Sequence, residues 1–285
     1  MTDAIEVRDL HKRYGELDAV RGVDFTVHRG EVFGLLGPNG AGKTTTVEVL
    51  EGYRERTSGE VSVLGFDPGR RPRAMRERVG IVLQSTGIYR QITPREAIAH
   101  WARFYPAPRD VEEVIALAGL EKSQDVPARH LSGGQMRRLD LALALVGDPE
   151  LIFLDEPTTG FDPAARRNAW DVIRSLRDLG KTVVLTTHYL DEAQALADRV
   201  AIIKDGRILA DGAPGQLGQA TRYRVAWRDA GGHAHTRETD DPTALLAGLT
   251  AEALARGERL EELSVTRPSL EDVYLELTAE EVAAP

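Results

Sequence analysis

The 285-residue chain contains no cysteine. That absence excludes a disulfide framework and any thiolate-bound metal. It also lacks an apolar run approaching the ~18–20 residues of a membrane span; LALALV at 141–146, for example, is followed by Gly147-Asp148-Pro149. The opening MTDAIEVRDL has neither the basic region nor the apolar stretch of a secretory signal. An excess of positive charge is missing as well. The net charge is −9, which argues against generic nucleic-acid binding, because that activity leaves a basic footprint. There is no internal repeat and no low-complexity tract. Together these absences imply a cytosolic chain that docks on a membrane partner at most and does not insert into the membrane.

What is present is ordinary globular material, 42% hydrophobic and 28% charged, enough for a sizeable core. The first 30 residues alternate in short runs, AIEVRDL and AVRGVDFTVHRG, as strands of an antiparallel sheet do. VFGLLGPNGAGKTTTVEVLEGY then reads as a buried strand, a glycine-rich turn and a helix, with further strands at 59–65 and 79–84. From about 85 to 147 the pattern is helical. Thr93-Pro94-Arg95-Glu96 starts that stretch with a capping threonine, proline at the first helical position and a glutamate three residues after the cap. Strands return as LIFLDEP (151–157), KTVVLTTH (181–188) and RVAIIKDGRIL (199–209), separated by helical runs. The alternation predicts an α/β core with a mixed, largely parallel sheet, an antiparallel β subdomain and a helical insertion. After GAPGQLGQA the composition shifts. Residues 220–285 carry 7 basic and 13 acidic side chains and predict a small acidic α+β domain: a strand at 222–228, a turn at 229–232, a helix at 243–256, a strand LEELSVT, and a last helix capped by Ser269 with Asp272. The expected division is therefore 1–219 and 220–285.

Three short stretches carry chemistry. Gly37-Pro38-Asn39-Gly40-Ala41-Gly42-Lys43-Thr44, followed by Thr45, is a complete GxxxxGK[ST] between a strand and a helix. Glycines let backbone amides wrap phosphates, Lys43 would reach the β- and γ-phosphates of a nucleotide, and the Thr44 hydroxyl would ligate Mg²⁺. In LIFLDEP an apolar strand ends in two carboxylates, which a parallel strand points toward the ligand crevice. Asp155 suits the Mg²⁺ shell, and Glu156 suits polarisation of an attacking water. The third stretch, Leu131-Ser132-Gly133-Gly134-Gln135, puts two glycines just ahead of an apolar-periodic run. Bare amides at a helix start form an anion site, yet the chain already has a phosphate loop.

Taken together these residues resemble the nucleotide-binding subunit of an ATP-binding cassette (ABC) transporter, over about residues 5–220. The resemblance implies ATP hydrolysis with Mg²⁺ by a head-to-tail pair of copies. Ser132, Gly133, Gly134 and Gln135 of one copy would then cap the nucleotide held by the other. It further implies that Tyr14 stacks on adenine, that Gln84 senses Mg²⁺ and the attacking water, that Asp162 communicates between the two sites, and that His188 holds the γ-phosphate and orients Glu156. The expected catalytic set is Glu156, His188, Lys43 and Gln84, with Thr44, Gln84 and Asp155 about the metal. Phe161 stands where that family usually has leucine. A separate transmembrane permease is implied, contacted through Gln91, Ile92 and Arg95, which would keep the chain on the cytoplasmic face of the cell membrane. Trp101, Phe104 and Tyr105 read as the core of the helical insertion. RPSLEDVYLEL resembles the ending of daunorubicin-resistance-type exporter ATPases, with Tyr274 in place of phenylalanine, and implies export of drugs or other amphipathic compounds. The main alternative is a soluble ATPase of the same superfamily in a cytosolic assembly task such as iron–sulfur cluster building.

Overall fold

A computed structural model describes residues 3–82, 90–217, 223–266 and 270–278. The chain divides into two compact units, residues 1–213 and 214–285. The boundary expected at 219/220 falls outside the described residues.

The first unit opens with β1 (Asp3–Tyr14) and β2 (Leu17–His28), an antiparallel pair whose inward residues include Ile5, Val7, Val23 and Val27. Then come β3 (Val32–Leu36), α1 (Lys43–Leu50), β4 (Ser58–Val63), the short α2 (Arg73–Arg76) and β5 (Val79–Val82). Three helices follow: α3 (Pro94–Ala102), α4 (Val111–Leu117) and α5 (Gly133–Leu145). The unit finishes with β6 (Leu151–Asp155), α6 (Pro163–Asp178), β7 (Thr182–Thr187), α7 (Leu190–Leu196), β8 (Arg199–Lys204) and β9 (Arg207–Gly212).

The central sheet has the order β5-β6-β7-β3-β8-β9, parallel except for β9. Every residue of β3, β6 and β7 is buried, as expected of parallel strands covered on both faces. One face, with Phe33, Leu35 and Phe153, shares a core with the β2-β1-β4 sheet. The other, with Ile152, Leu154, Val183 and Leu185, packs on α5, α6 and α7. Burying each such large apolar side chain stabilises by about 1.5–3 kcal/mol. α3, α4 and the outer side of α5 form a third core around Ile98, Ile115 and Leu139. α5 therefore belongs to two cores at once.

The second unit contains β10 (Tyr223–Arg228), β11 (Ala234–Thr239), α8 (Pro242–Ala255), β12 (Glu261–Thr266) and α9 (Leu270–Thr278), with an antiparallel sheet ordered β11-β10-β12. Ser269 lies outside the described residues.

Three sequence expectations change. RVAIIKDGRIL is two strands joined at Asp205-Gly206, whose φ angles of 50° and 76° give the tight hairpin turn that an Asp-Gly pair favours. β11 lies in the stretch between the expected turn and the expected helix, to which the pattern assigned no element, because its exposed, mostly polar residues hide the strand period. Among the three aromatics, Tyr105 packs against the α3–α5 core, but Trp101 is 44% and Phe104 63% exposed, edge to face with each other and with His100. α3 ends at Ala102, so its apolar stripe does not carry Phe104 inward.

Candidate nucleotide site

The carboxyl ends of β3, β7 and β6, neighbours in the sheet, converge on one place. The loop after β3 is Gly37–Gly42, and two of its glycines are demanded by the packing. A Cβ on Gly37 would lie 2.2 Å from the Ile203 carbonyl oxygen. One on Gly42, at φ 103°, would lie 2.5 Å from that of Ala19. Gly40 faces open space, so the backbone there can be approached closely by a ligand.

Lys43 opens α1 and is only 4% exposed. Its Nζ donates to the Gly37 and Pro38 carbonyls at 2.8 and 3.1 Å and lies 3.7 Å from Glu156 Oε1. Burial pushes the Lys43 pKa down, while the charges of Glu156 and Asp155 pull it up. Thr44 Oγ1 lies 3.4 Å from both Asp155 carboxylate oxygens. Asp155 accepts a 2.5 Å bond from Thr186 Oγ1, and that same hydroxyl accepts from the Glu156 amide at 3.0 Å. The link matters because Glu156 sits at φ 45°, a left-handed conformation that disfavours most side chains. The Glu156 carboxylate accepts from Thr159 Oγ1 at 3.1 Å and meets His188 Nδ1 at 3.4 Å.

The donor set fits a nucleotide with Mg²⁺. Thr44 and Asp155 offer hard oxygen ligands side by side. Among the described residues no cluster of three or more His, Asp or Glu could hold a metal alone, and Mg²⁺ is typically completed by substrate phosphates and water. Gln84 lies outside the described residues. Tyr14 ends β1, 39% exposed, with Lys12 Nζ 4.7 Å from its ring centre.

Ser132 to Gln135 form the start of α5. Ser132 Oγ accepts from the Gln135 amide at 3.2 Å, and the Gln135 side chain accepts from the Ser132 amide at 2.9 Å, a full capping box. A Cβ on Gly133 or Gly134 would meet nothing within 4 Å. The cap thus fixes the helix start and leaves its glycine face open. Asp162 caps α6 by accepting from the Ala164 and Ala165 amides. A cleft of about 640 Å³ separates these two helix starts, and Phe161, Leu141 and Leu154 line its apolar part. The structure does not bring Ser132–Gln135 into the Lys43–Glu156 cluster.

The three docking candidates are already engaged within the chain. Gln91 accepts from Arg129, Ile92 packs against the α3–α5 core, and Arg95 pairs with Glu112 and Asp125. The sequence reading overlooked Thr186, Thr159 and Arg137. Arg137 donates from α5 to the carbonyls of Pro157 and Asp155 at 3.1 and 3.3 Å. Thr186, in the Thr-Thr-His end of β7, was open to detection; Arg137 had no local signal beyond its place after the glycines.

The crevice defines a phosphate-loop ATPase with a second, separate glycine-bearing helix start. The family model of the ABC transporter matches residues 20–159. A Nod factor export ATP-binding protein of Sinorhizobium fredii (strain NBRC 101917 / NGR234) is 39% identical over 298 residues, covering 98% of this chain and 87% of its own. A daunorubicin resistance ATP-binding protein of Streptomyces coeruleorubidus is 37% identical over 305 residues, covering 98% and 96%. A solved ATP-binding subunit of an ABC transporter shares the fold with a TM-score of 0.70 at 24% identity, over 96% of this chain and 99% of that one. This chain belongs to the ABC transporter family. It is an ATP-binding ATPase subunit of that family, with exporter-type relatives.

Proposed function

We propose that this chain drives export of drugs or other amphipathic compounds, working as a head-to-tail pair of copies beneath a permease encoded on a separate polypeptide. The observation that carries the reading is the meeting of Lys43, Asp155, Glu156 and His188 at the ends of three adjacent strands. The export task is supported by the roles that name the two relatives, Nod factor export and daunorubicin resistance.

In this reading the loop amides from Gly40 to Thr45 and the Lys43 ammonium hold the β- and γ-phosphates, and Tyr14 stacks on the base. Mg²⁺, when bound through Thr44 and Asp155, neutralises charge on the phosphates. Glu156 takes a proton from the attacking water as its oxygen bonds to the γ-phosphorus and the bond to the ADP oxygen breaks. Thr159 and His188 hold that carboxylate in line. Ser132, Gly133 and Gly134 present α5 to the nucleotide of the second copy, where a helix start favours negative charge. Gln84 and Asp162 keep the sensing and communicating parts that the family resemblance implies.

Permease docking is assigned to the helical layer. Ile92 and Arg95 are tied into its packing, whereas Gln91, though bonded to Arg129, is exposed, so it joins the exposed Trp101 and Phe104 as the cleaner variants. The tagged protein is recovered from gently solubilised native membranes and its companions identified. The expected result is a multi-spanning membrane protein whose recovery is lost on combined Gln91→Ala, Trp101→Ala and Phe104→Ala substitution. Recovery of soluble partners alone, with the chain absent from washed membranes, would transfer the motor to a cytosolic assembly task.

A further inference from the structure

Glu192, on α7, is fully buried and takes no part in the chemistry described above. Its Oε1 accepts two hydrogen bonds, from Thr158 Oγ1 at 2.7 Å and from Trp170 Nε1 at 3.1 Å. Its other oxygen is buried with no hydrogen-bond partner among the described residues. A buried carboxylate needs hydrogen bonds to offset the loss of water, so these two donors fix where the Glu192 side chain sits. Its partners suggest its use. Thr158, itself fully buried, stands two residues after Glu156. Glu192 stands four residues after His188, on the helix that this histidine leads into. Trp170 lies on α6, whose cap is Asp162.

The same segment is also held by α5. Arg137 of α5 donates to the carbonyls of Asp155 and Pro157, and its charge interacts with those of Asp155 and Glu192. The stretch Asp155–Thr158 is thus held both by Arg137, on the helix that starts at Ser132, and by Glu192, on the helix that follows His188.

We propose that Glu192 is a positioning residue for hydrolysis, fixing Thr158 against α7 and so setting the spacing between Glu156 and His188. The inference rests on the assignment of those two residues as the hydrolytic pair. The contact between them is long, 3.4 Å, so small shifts of either segment decide whether it forms. Glu192 acts on both segments: it bonds the chain that leaves Glu156 and belongs to the helix that leaves His188. No atom of Glu192 need touch nucleotide.

The test is a split between binding and turnover in the full-length protein. Steady-state ATPase rates and the affinity for a fluorescent ATP analogue are measured for wild type, Glu192→Gln, Glu192→Ala and Trp170→Phe. Glutamine keeps an oxygen acceptor for Thr158 and Trp170, whereas alanine removes it. Trp170→Phe removes one donor and keeps the ring. The expected pattern is a kcat loss of tenfold or more in Glu192→Ala, with analogue affinity within about twofold of wild type. Glu192→Gln should retain at least half of kcat, and Trp170→Phe should fall between. Wild-type kcat in Glu192→Ala overturns the proposal. So does parallel loss of kcat and binding in both Glu192 variants, which marks a folding role alone. If Glu192→Ala does not fold, Trp170→Phe decides: unchanged kcat overturns the proposal. A wild type without ATPase activity removes the hydrolytic assignment first, and the positioning role with it.

Discussion

At the scale of single residues, this chain keeps several charges where water is scarce, and each is held for a reason. Lys43, Asp155 and Glu156 compensate one another across a few ångströms. Glu51, which caps the carboxyl end of α1, has no such relief. Burial pushes its pKa up to about 8, and the negative charges of Asp155 and Glu48 push the same way. In the folded protein Glu51 therefore keeps a proton that the unfolded chain gives up near the ordinary carboxylate value. Stability from this residue is intact below about pH 4.5 and falls as pH rises toward about 8. Glu51→Gln should remove that slope and stabilise the protein at pH 8 by on the order of a few kcal/mol. Thermal unfolding across pH 5–9 checks it; a variant no more stable than wild type at pH 8 would show that the carboxyl is relieved in some other way.

Among the elements, α3 and α5 begin with side-chain caps, whereas α1 and α7 do not. Thr93 and Glu96 form a reciprocal box at the start of α3, as Ser132 and Gln135 do for α5. The two boxes have different surroundings. α3 starts at Pro94, a residue with no amide hydrogen to offer, whereas α5 starts with two glycines and open space. Thr93→Ala should therefore cost about 1 kcal/mol of stability and leave the ATPase rate per folded molecule unchanged. Urea unfolding and steady-state turnover measured on the same preparation decide this. A large fall in turnover would mean that the start of α3 does more than anchor its own layer.

For the whole molecule, the decisive fact is that the phosphate loop and the glycine-led start of α5 do not share a site in one chain. Lys43 and Glu156 meet each other, while Ser132, Gly133 and Gly134 face the cleft beside Phe161. In the proposed head-to-tail pair, a second copy would bring the two together. Ser132→Arg should abolish turnover and leave binding of ATP by the separate subunit within about twofold, because the arginine blocks only the face offered to the partner. Mixing it with an excess of Lys43→Ala should restore activity to at most one of the two sites in each mixed pair. Equilibrium binding and activity titrations are the measurements. Loss of ATP binding in Ser132→Arg alone would place the glycine helix on its own nucleotide.

Much of this was determined by sequence alone. Gly37–Thr44, Asp155-Glu156 and the start of α5 are each contiguous, so their chemistry is legible locally as a glycine-rich turn, a strand ending in carboxylates and a capped helix, although the packing that demands Gly37 and Gly42 comes from the distant Ile203 and Ala19 carbonyls. The parallel core was legible for the same reason, since strands buried on both faces leave continuous apolar runs. Contacts between segments distant in the chain were decided only by the tertiary structure. Thr186 beneath Asp155, Arg137 on the carbonyls of Asp155 and Pro157, and Glu192 against Thr158 join residues 18 to 34 positions apart. The exposure of Trp101 and Phe104 belongs with them, because a helix pattern records spacing along the chain but not where the helix stops or what lies opposite. Local chemistry is written in neighbouring residues; the distances that make it work are set by packing between elements, and packing has no local signature.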